Sequence, residues 1–447
     1  MVDGSTIGSL PRQRSQAVLA ARLPSIVYNL PATFVFMNVL DRFLRYVRID
    51  TQSDPDSPTQ PSTEKQKDLG RLLARELVEL GLTDAALDEH GYVYATLPAT
   101  PGQEAAPTIC FCAHMDTSPD ASGTNVRPIV HENYQGQDLV LPDNPKVVLR
   151  ANDFDGLRQN IGHAIVTASG TTLLGADNKC GLAAILAAVE HLMAHPEIPH
   201  GRLRILFTPD EEIGRGVNAV DMQKLDADFG YTIDGEARGS LEDETFSADA
   251  AVINIAGVSS HPGFGKGKLE NAVKIAADIL AALPQDRLSP ETTADREGFI
   301  HPVGVTGKAE SARIDLILRD FETARLADHA RVLQDIIDEV GPRYPNSFIH
   351  LEVTEQYRNM KEVLDQHPRV SQLAEEAIRS VGLELRRAHI RGGTDGSRLS
   401  FMGLPCPNLF AGEHAFHSPY EWASVYEMQK AAEVIVAISQ LNTTLPR

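Results

Sequence analysis

Two periodicities alternate along this chain. Apolar residues recur at helical spacing in Val39-Leu40, Phe43-Leu44 and Val47, which predicts a helix over 37–47. A polar, Pro-rich loop over 53–62 follows. Ser62 or Thr63, with Glu64 behind it, then reads as the cap of a second helix that runs to Leu80 and stops at Gly81. Residues 92–97 and 109–113 read as strands around a turn over 98–107. A strongly apolar helix over 181–193 leads into the apolar run 203–207, and this alternation implies a mostly parallel sheet. Tyr231-Thr232-Ile233 adds another strand. Residues 117–170 hold only short apolar pairs and give no firm assignment.

After Glu236 the texture changes. A strand over 250–257, a helix over 269–283, a strand over 311–318, a helix over 322–340 and a strand over 348–354 are predicted. That order suggests an α+β insert, one sheet with two helices on one face. Helix and strand signals resume over 370–381 and 384–390. The first 36 residues contain Arg12, Arg14 and Arg22 among short apolar pieces, but no long apolar stretch with a small-residue cleavage site. They read as a disordered leader or an extended start rather than a secretory signal.

At 447 residues the chain can form two or three domains with sizeable cores. Its 42% hydrophobic and 23% charged residues are ordinary for a soluble globular protein. A net charge of −20 argues against nucleic acid or an anionic membrane as partner. No stretch approaches the apolar length needed to span a bilayer. Cys110, Cys112, Cys180 and Cys406 are too few for a structural thiolate site, and buried thiols in a reducing cytoplasm are expected.

Five short pieces carry the chemistry: His114-Met115-Asp116, Asp177-Asn178, Glu211-Glu212, Asp234-Gly235 and His417-Ser418-Pro419. Each follows or interrupts an apolar run that reads as a strand, or lies in a polar turn, where α/β enzymes build sites. Two imidazoles with several carboxylates favour a catalytic metal such as zinc, cobalt or manganese. Each piece has a plainer reading. His114 and Asp116 could be a surface hydrogen bond, Asp177 a helix cap, and Asp210-Glu211-Glu212 a solvated acidic turn. Three adjacent carboxylates repel unless cations or protons neutralise them. His261 lies in the glycine-rich turn over 259–267, where an imidazole could steady an oxyanion. Lys266 is not followed by Ser or Thr, so that turn is no phosphate loop. Arg391-Gly392-Gly393-Thr394-Asp395-Gly396 reads either as a plain turn or as a loop presenting a guanidinium to a carboxylate.

These residues together resemble the zinc-dependent exopeptidases of the M20 clan, most closely its tripeptide aminopeptidases, from Met37 to about Leu441. The most specific pieces are Ala113-His114-Met115-Asp116, Gly175-Ala176-Asp177-Asn178-Lys179, Pro209-Asp210-Glu211-Glu212, Ile233-Asp234-Gly235, Ser260-His261-Pro262-Gly263, the Arg391 loop and His417-Ser418-Pro419-Tyr420-Glu421. The resemblance implies an α/β catalytic domain with a mixed, mostly parallel sheet over 37–237 and 350–447. It implies an inserted ferredoxin-like lid over 238–349. It implies two Zn2+, with Co2+ or Mn2+ as substitutes: His114, Asp177 and Asp234 around one, and Asp177, Glu212 and His417 around the other. Asp116 would orient His114, Glu211 would be the general base, His261 would hold an oxyanion and Arg391 the substrate carboxylate.

The activity so implied is release of the N-terminal residue from tripeptides in the cytoplasm, and the resemblance favours a homodimer although relatives vary. The alternatives are another M20 hydrolase, a dipeptidase or an N-acyl amino acid deacylase. A catalytically silent binding protein would require a substituted ligand or base, and every expected position is filled. The stretch before Met37 has no counterpart in the family, and residues 300–310 of the insert depart from its pattern.

Overall fold

The central sheet of the computed structural model, which describes residues 39–444, has eight strands. In spatial order they are Ala86–Leu87, Val93–Leu97, Leu203–Thr208, Ile109–His114, Phe229–Gly235, Asn408–Phe410, Ser240–Thr245 and Arg386–Ile390. Leu203–Thr208, Ile109–His114, Phe229–Gly235 and Asn408–Phe410 run parallel, and antiparallel pairs flank them. Ile109–His114 and Leu203–Thr208 are buried at every position, as parallel strands covered on both faces must be. Helix Ala176–Ala194 packs on Ile109–His114 and Phe229–Gly235, and helices Val39–Tyr46 and Val425–Leu441 pack on it. It has no polar face because it is enclosed all round. The mixed, mostly parallel α/β sheet expected from the sequence is therefore present.

A second sheet orders Phe299–Lys308, Ser311–Asp320, Ser247–Ala256 and Phe348–Tyr357, all antiparallel. Helices Ala272–Ala282 and Thr323–Val340 cover one face, where Ile253, Ile255, Ile314 and Leu316 meet Ile275, Ile279, Leu333 and Ile337. The chain order strand–helix–strand–strand–helix–strand is ferredoxin-like, with one strand more than the hydrophobic pattern indicated. The extra strand, Phe299–Lys308, is an edge strand whose outer half is largely exposed, so it carries little apolar alternation. The boundaries also differ from those expected. Ser240–Thr245 belongs to the large sheet and Phe348–Tyr357 to the small one, so the chain changes sheets at about 246 and 358 rather than at 238 and 349.

Residues 117–170, unassigned from sequence, supply Ile129–His131 and Ile165–Thr167. These join Glu413–His414 and Trp422–Ser424 in a third sheet. The expected leader over 1–36 lies outside the described residues. Helix Gln66–Glu79 ends as expected: Gly81 adopts φ +104°, and the Leu82 N–H reaches the Leu77 carbonyl at 3.0 Å. Its start does not match, for Lys65 occupies the cap position without a side-chain bond. The Ser62 hydroxyl instead donates to Asp210, and Thr63 donates to the Gln52 carbonyl. All four cysteines are buried and free. Among the described residues no helix is long and apolar enough to cross a membrane.

Candidate metal centre

Three neighbouring parallel strands deliver acidic or imidazole groups at their C-terminal ends, where open α/β sheets bind ligands. His114 is the last residue of Ile109–His114, Glu211 and Glu212 follow Leu203–Thr208, and Asp234 lies at the end of Phe229–Gly235. Asp177 comes from the entry to helix Ala176–Ala194. It does not cap that helix, since its carboxylate turns toward His114 and His417 rather than to the first helical N–H groups. Asn178 caps it, accepting from the Gly181 N–H at 3.0 Å, which leaves the Asp177 carboxylate free. His417 sits in the connection between Glu413–His414 and Trp422–Ser424 with φ +59°, a left-handed conformation that His tolerates better than most residues.

These side chains converge. His114 Nε2 lies 2.8 Å from Asp177 Oδ1 and 3.4 Å from Asp234 Oδ1. His417 Nε2 lies 2.7 Å from Glu212 Oε2 and 3.3 Å from Asp177 Oδ2. Two groups of ligand atoms, each within 4.8 Å, result: His114, Asp177 and Asp234, and Asp177, Glu212 and His417. Asp177 belongs to both, one oxygen toward each imidazole. The donors fit divalent cations. Glu212 Oε1 is buried with no hydrogen-bond partner among the described residues, and Asp234 Oδ1 has only the poorly aligned contact with His114; a buried carboxylate oxygen left so is costly unless a cation satisfies it.

The electrostatics agree. Burial raises Glu212 to about 8, with Asp177 adding to it, and raises Asp234 to about 6. Burial lifts Glu211 well above the glutamate range against the pull of His114, with Asp234, Asp395 and Glu212 adding to the rise. For His417, burial works downward but Asp177 and Glu212 lift it to about 11. Without cations Glu211 and Glu212 are thus driven toward their protonated forms, while, against its burial, the two imidazoles keep Asp177 ionised, as expected of a site built for positive charge.

Asp116 sits behind this array, fully buried. Its carboxylate accepts from the backbone N–H of Glu211 at 3.0 Å and of Glu212 at 3.2 Å, and lies 3.3 Å from His114 Nδ1. The third carboxylate of the acidic run turns away. Asp210, at φ +58°, accepts from the Ser62 N–H and from Gln66 Nε2 at 2.6 Å. The run is thus a hinge between two environments rather than one repelling cluster.

Asp177, Glu211, Glu212, Asp234, Arg391 and His417 share the wall of one cavity of about 470 Å³. Arg391 donates to the carbonyls of Asp295 and Glu297 and to Thr293 Oγ1, lies over the rings of Phe246 and Phe299, and has no acidic partner among the described residues. His261 is not brought there. It lies on an exposed turn, accepts from the Gly263 N–H and packs beside Phe264, which is 74% exposed.

Two residues without an assigned role in the sequence reading matter here. Glu421, 1% exposed, accepts from the backbone N–H groups of Leu174, Gly175 and Asp177 at 2.6, 2.8 and 3.0 Å. Lys179 is equally buried and donates to the Ile49 carbonyl at 2.9 Å. Both stand in the short runs that carried the resemblance, but a side chain that serves backbone amides leaves no spacing signal.

A mixed, mostly parallel α/β sheet with groups of potential metal ligands at its strand ends is the arrangement of a metal-binding peptide hydrolase. The chain belongs to peptidase family M20. The model of peptidase family M20/M25/M40 matches residues 167–440. Peptidase T of Halothermothrix orenii is 47% identical over 406 residues, covering 91% of this chain and 99% of that protein. Peptidase T of Geobacillus thermodenitrificans is 46% identical over 403 residues, covering 90% and 98%. Among solved structures, a tripeptidase from Staphylococcus aureus superposes with a TM-score of 0.71 at 23% identity, covering 92% of this chain and 99% of that one.

Proposed function

We propose that this peptidase is a dinuclear, zinc-type aminopeptidase that releases the N-terminal residue from tripeptides. The observation that carries the reading is the pair of ligand groups sharing Asp177, with Glu211 on the wall of the same cavity. His114, Asp177 and Asp234 would hold one cation and Asp177, Glu212 and His417 the other. Cations held there would supply Lewis acidity, making a water more acidic and a peptide carbonyl more electrophilic. Glu211 takes the proton from the attacking water on its carboxylate and passes it to the leaving amine. Asp116 fixes both glutamates through their N–H groups and orients His114 through its Nδ1.

Arg391, charged and without an acidic partner among the described residues, holds the substrate's C-terminal carboxylate. A fixed cation at one end and a reaction centre at the other measure peptide length, which favours tripeptides over longer chains. An oxyanion-holding role for His261 requires its turn to approach the cavity, which a movement of the small sheet would supply. Cytoplasmic residence is the location in keeping with four buried thiols and short-peptide substrates. A homodimer is the assembly we favour.

The test is a panel of a tripeptide, a dipeptide, a tetrapeptide and an acetylated amino acid, run beside elemental analysis. Turnover of the tripeptide above the others, lost on chelation and restored by zinc, cobalt or manganese, is expected. Preference for the dipeptide or the acetylated amino acid would move the protein to another M20 activity.

A further inference from the structure

The catalytic reading leaves three carboxylates on the cavity wall without work: Glu236, Glu242 and Glu413. The first two are accounted for. The Glu236 side chain is 57% exposed and therefore solvated, and Glu242 accepts from Asn408 Nδ2 at 2.7 Å. Glu413 is different. It is 2% exposed, makes no hydrogen bond or ion pair with its side chain among the described residues, and its Oε2 is buried and unpartnered. Alone, burial with Asp177 and Asp234 nearby pushes it well above the usual carboxylate range, and it can be held ionised there only when a cation joins it.

That cation is not one of the two metals, because Glu413 belongs to neither group of converging ligand atoms. It does lie on the wall of the same cavity. Its backbone is held in a strand, with Glu413 opposite Ala423, four residues before His417. Glu413 thus shares the cavity wall with Asp177, Glu212, Asp234 and His417 without belonging to either ligand group.

We propose that Glu413 binds the α-ammonium group of the peptide's N-terminal residue. The inference rests on the aminopeptidase reading above and supplies what that reading lacks, a reason for requiring a free amino terminus. The α-nitrogen is two bonds from the scissile carbonyl carbon. Its receptor must therefore sit beside the reaction centre without being a ligand of it. Glu413 for the ammonium and Arg391 for the carboxylate then set both ends of the substrate.

The test compares kcat/KM of the metal-loaded enzyme for trialanine and for propionyl-alanyl-alanine, the same skeleton without the amino group. A charge-assisted hydrogen bond is worth about a 10- to 100-fold preference for trialanine. Glu413→Gln, nearly isosteric and uncharged, should abolish most of that preference by raising KM for trialanine. Turnover of the propionyl peptide and metal content should stay unchanged.

A variant that keeps the wild-type preference, or that loses metal, overturns the assignment. So does Glu242→Gln if it alone erases the preference. A second measurement needs no variant: alaninamide should inhibit the wild-type enzyme at least about tenfold better than propionamide, and equal inhibition also overturns it. Trialanine turned over without these differences sinks only the role of Glu413, whereas failure to turn over trialanine at all sinks the aminopeptidase reading with it.

Discussion

Asp116 and Glu421 show how much of this site is built by carboxylates that belong to neither ligand group. Asp116 holds Glu211 and Glu212 by their own N–H groups, so the two neighbours face the cavity in fixed and different ways. Their replacement should separate cleanly. Glu211→Gln should retain full metal content while kcat falls by about 10²- to 10⁴-fold, and Glu212→Gln should lose metal; elemental analysis beside kcat distinguishes them. The reverse pattern would exchange the two roles. Glu421 holds the stretch before and at Asp177 by three amides. Glu421→Ala would strand three buried N–H groups, each costing about 1–3 kcal/mol. A marked loss of thermal stability and weaker binding of both metals, followed by competitive chelation, is expected, because Asp177 serves both groups.

At the scale of elements, what the sequence disclosed depended on burial. The strands Ile109–His114 and Leu203–Thr208 were plain because they are enclosed and continuously apolar. Phe299–Lys308 was hidden because much of it is exposed, and Ser240–Thr245 because its Glu and Asp residues mask a strand inside the large sheet. His114, Glu211, Glu212 and Asp234 stood out as candidates because they end or follow apolar strands, whereas Asp177 at a helix entry and His417 in a polar turn were assigned together with them only by the family resemblance. Glu421 and Glu413 were not assigned, since the first serves backbone amides and the second has no side-chain partner among the described residues.

Gly181 joins these levels. A Cβ there would lie 2.0 Å from the Ile233 carbonyl and 2.3 Å from Asn178 Oδ1, so the helix entry and the strand bearing Asp234 pack only through hydrogen. Gly181→Ala should cost about 1–3 kcal/mol by overpacking. It should also spread the two ligands of the first group apart, reducing metal affinity as well as melting temperature. A variant as stable as wild type with normal metal affinity would show that the helix entry yields freely.

For the whole molecule, the sign of the pH dependence should depend on whether cations are bound. In the metal-free protein Glu212 is raised to about 8, Asp234 to about 6 and Asp395 to about 7, each chiefly by burial. His417 is raised to about 11 because Asp177 and Glu212 outweigh its burial. Carboxylates so raised bind protons in the folded state that the unfolded chain has already lost above about pH 4.5. His417 likewise stays protonated when folded but not when unfolded above about pH 6.5.

Between pH 5 and 8 the folded state therefore carries the extra protons, and stability must fall as pH rises, by about 1.4 kcal/mol per proton and pH unit. Asp177 is lowered, but its window lies below this range. Bound cations replace those protons, and their affinity grows as protons leave. Melting curves of chelated and metal-loaded protein should thus diverge with rising pH: the chelated form falls from pH 5 to 8, and the gap to the loaded form widens. A gap that stayed constant would mean that the clustered acids do not exchange protons for metal, and the centre would lose its electrostatic rationale.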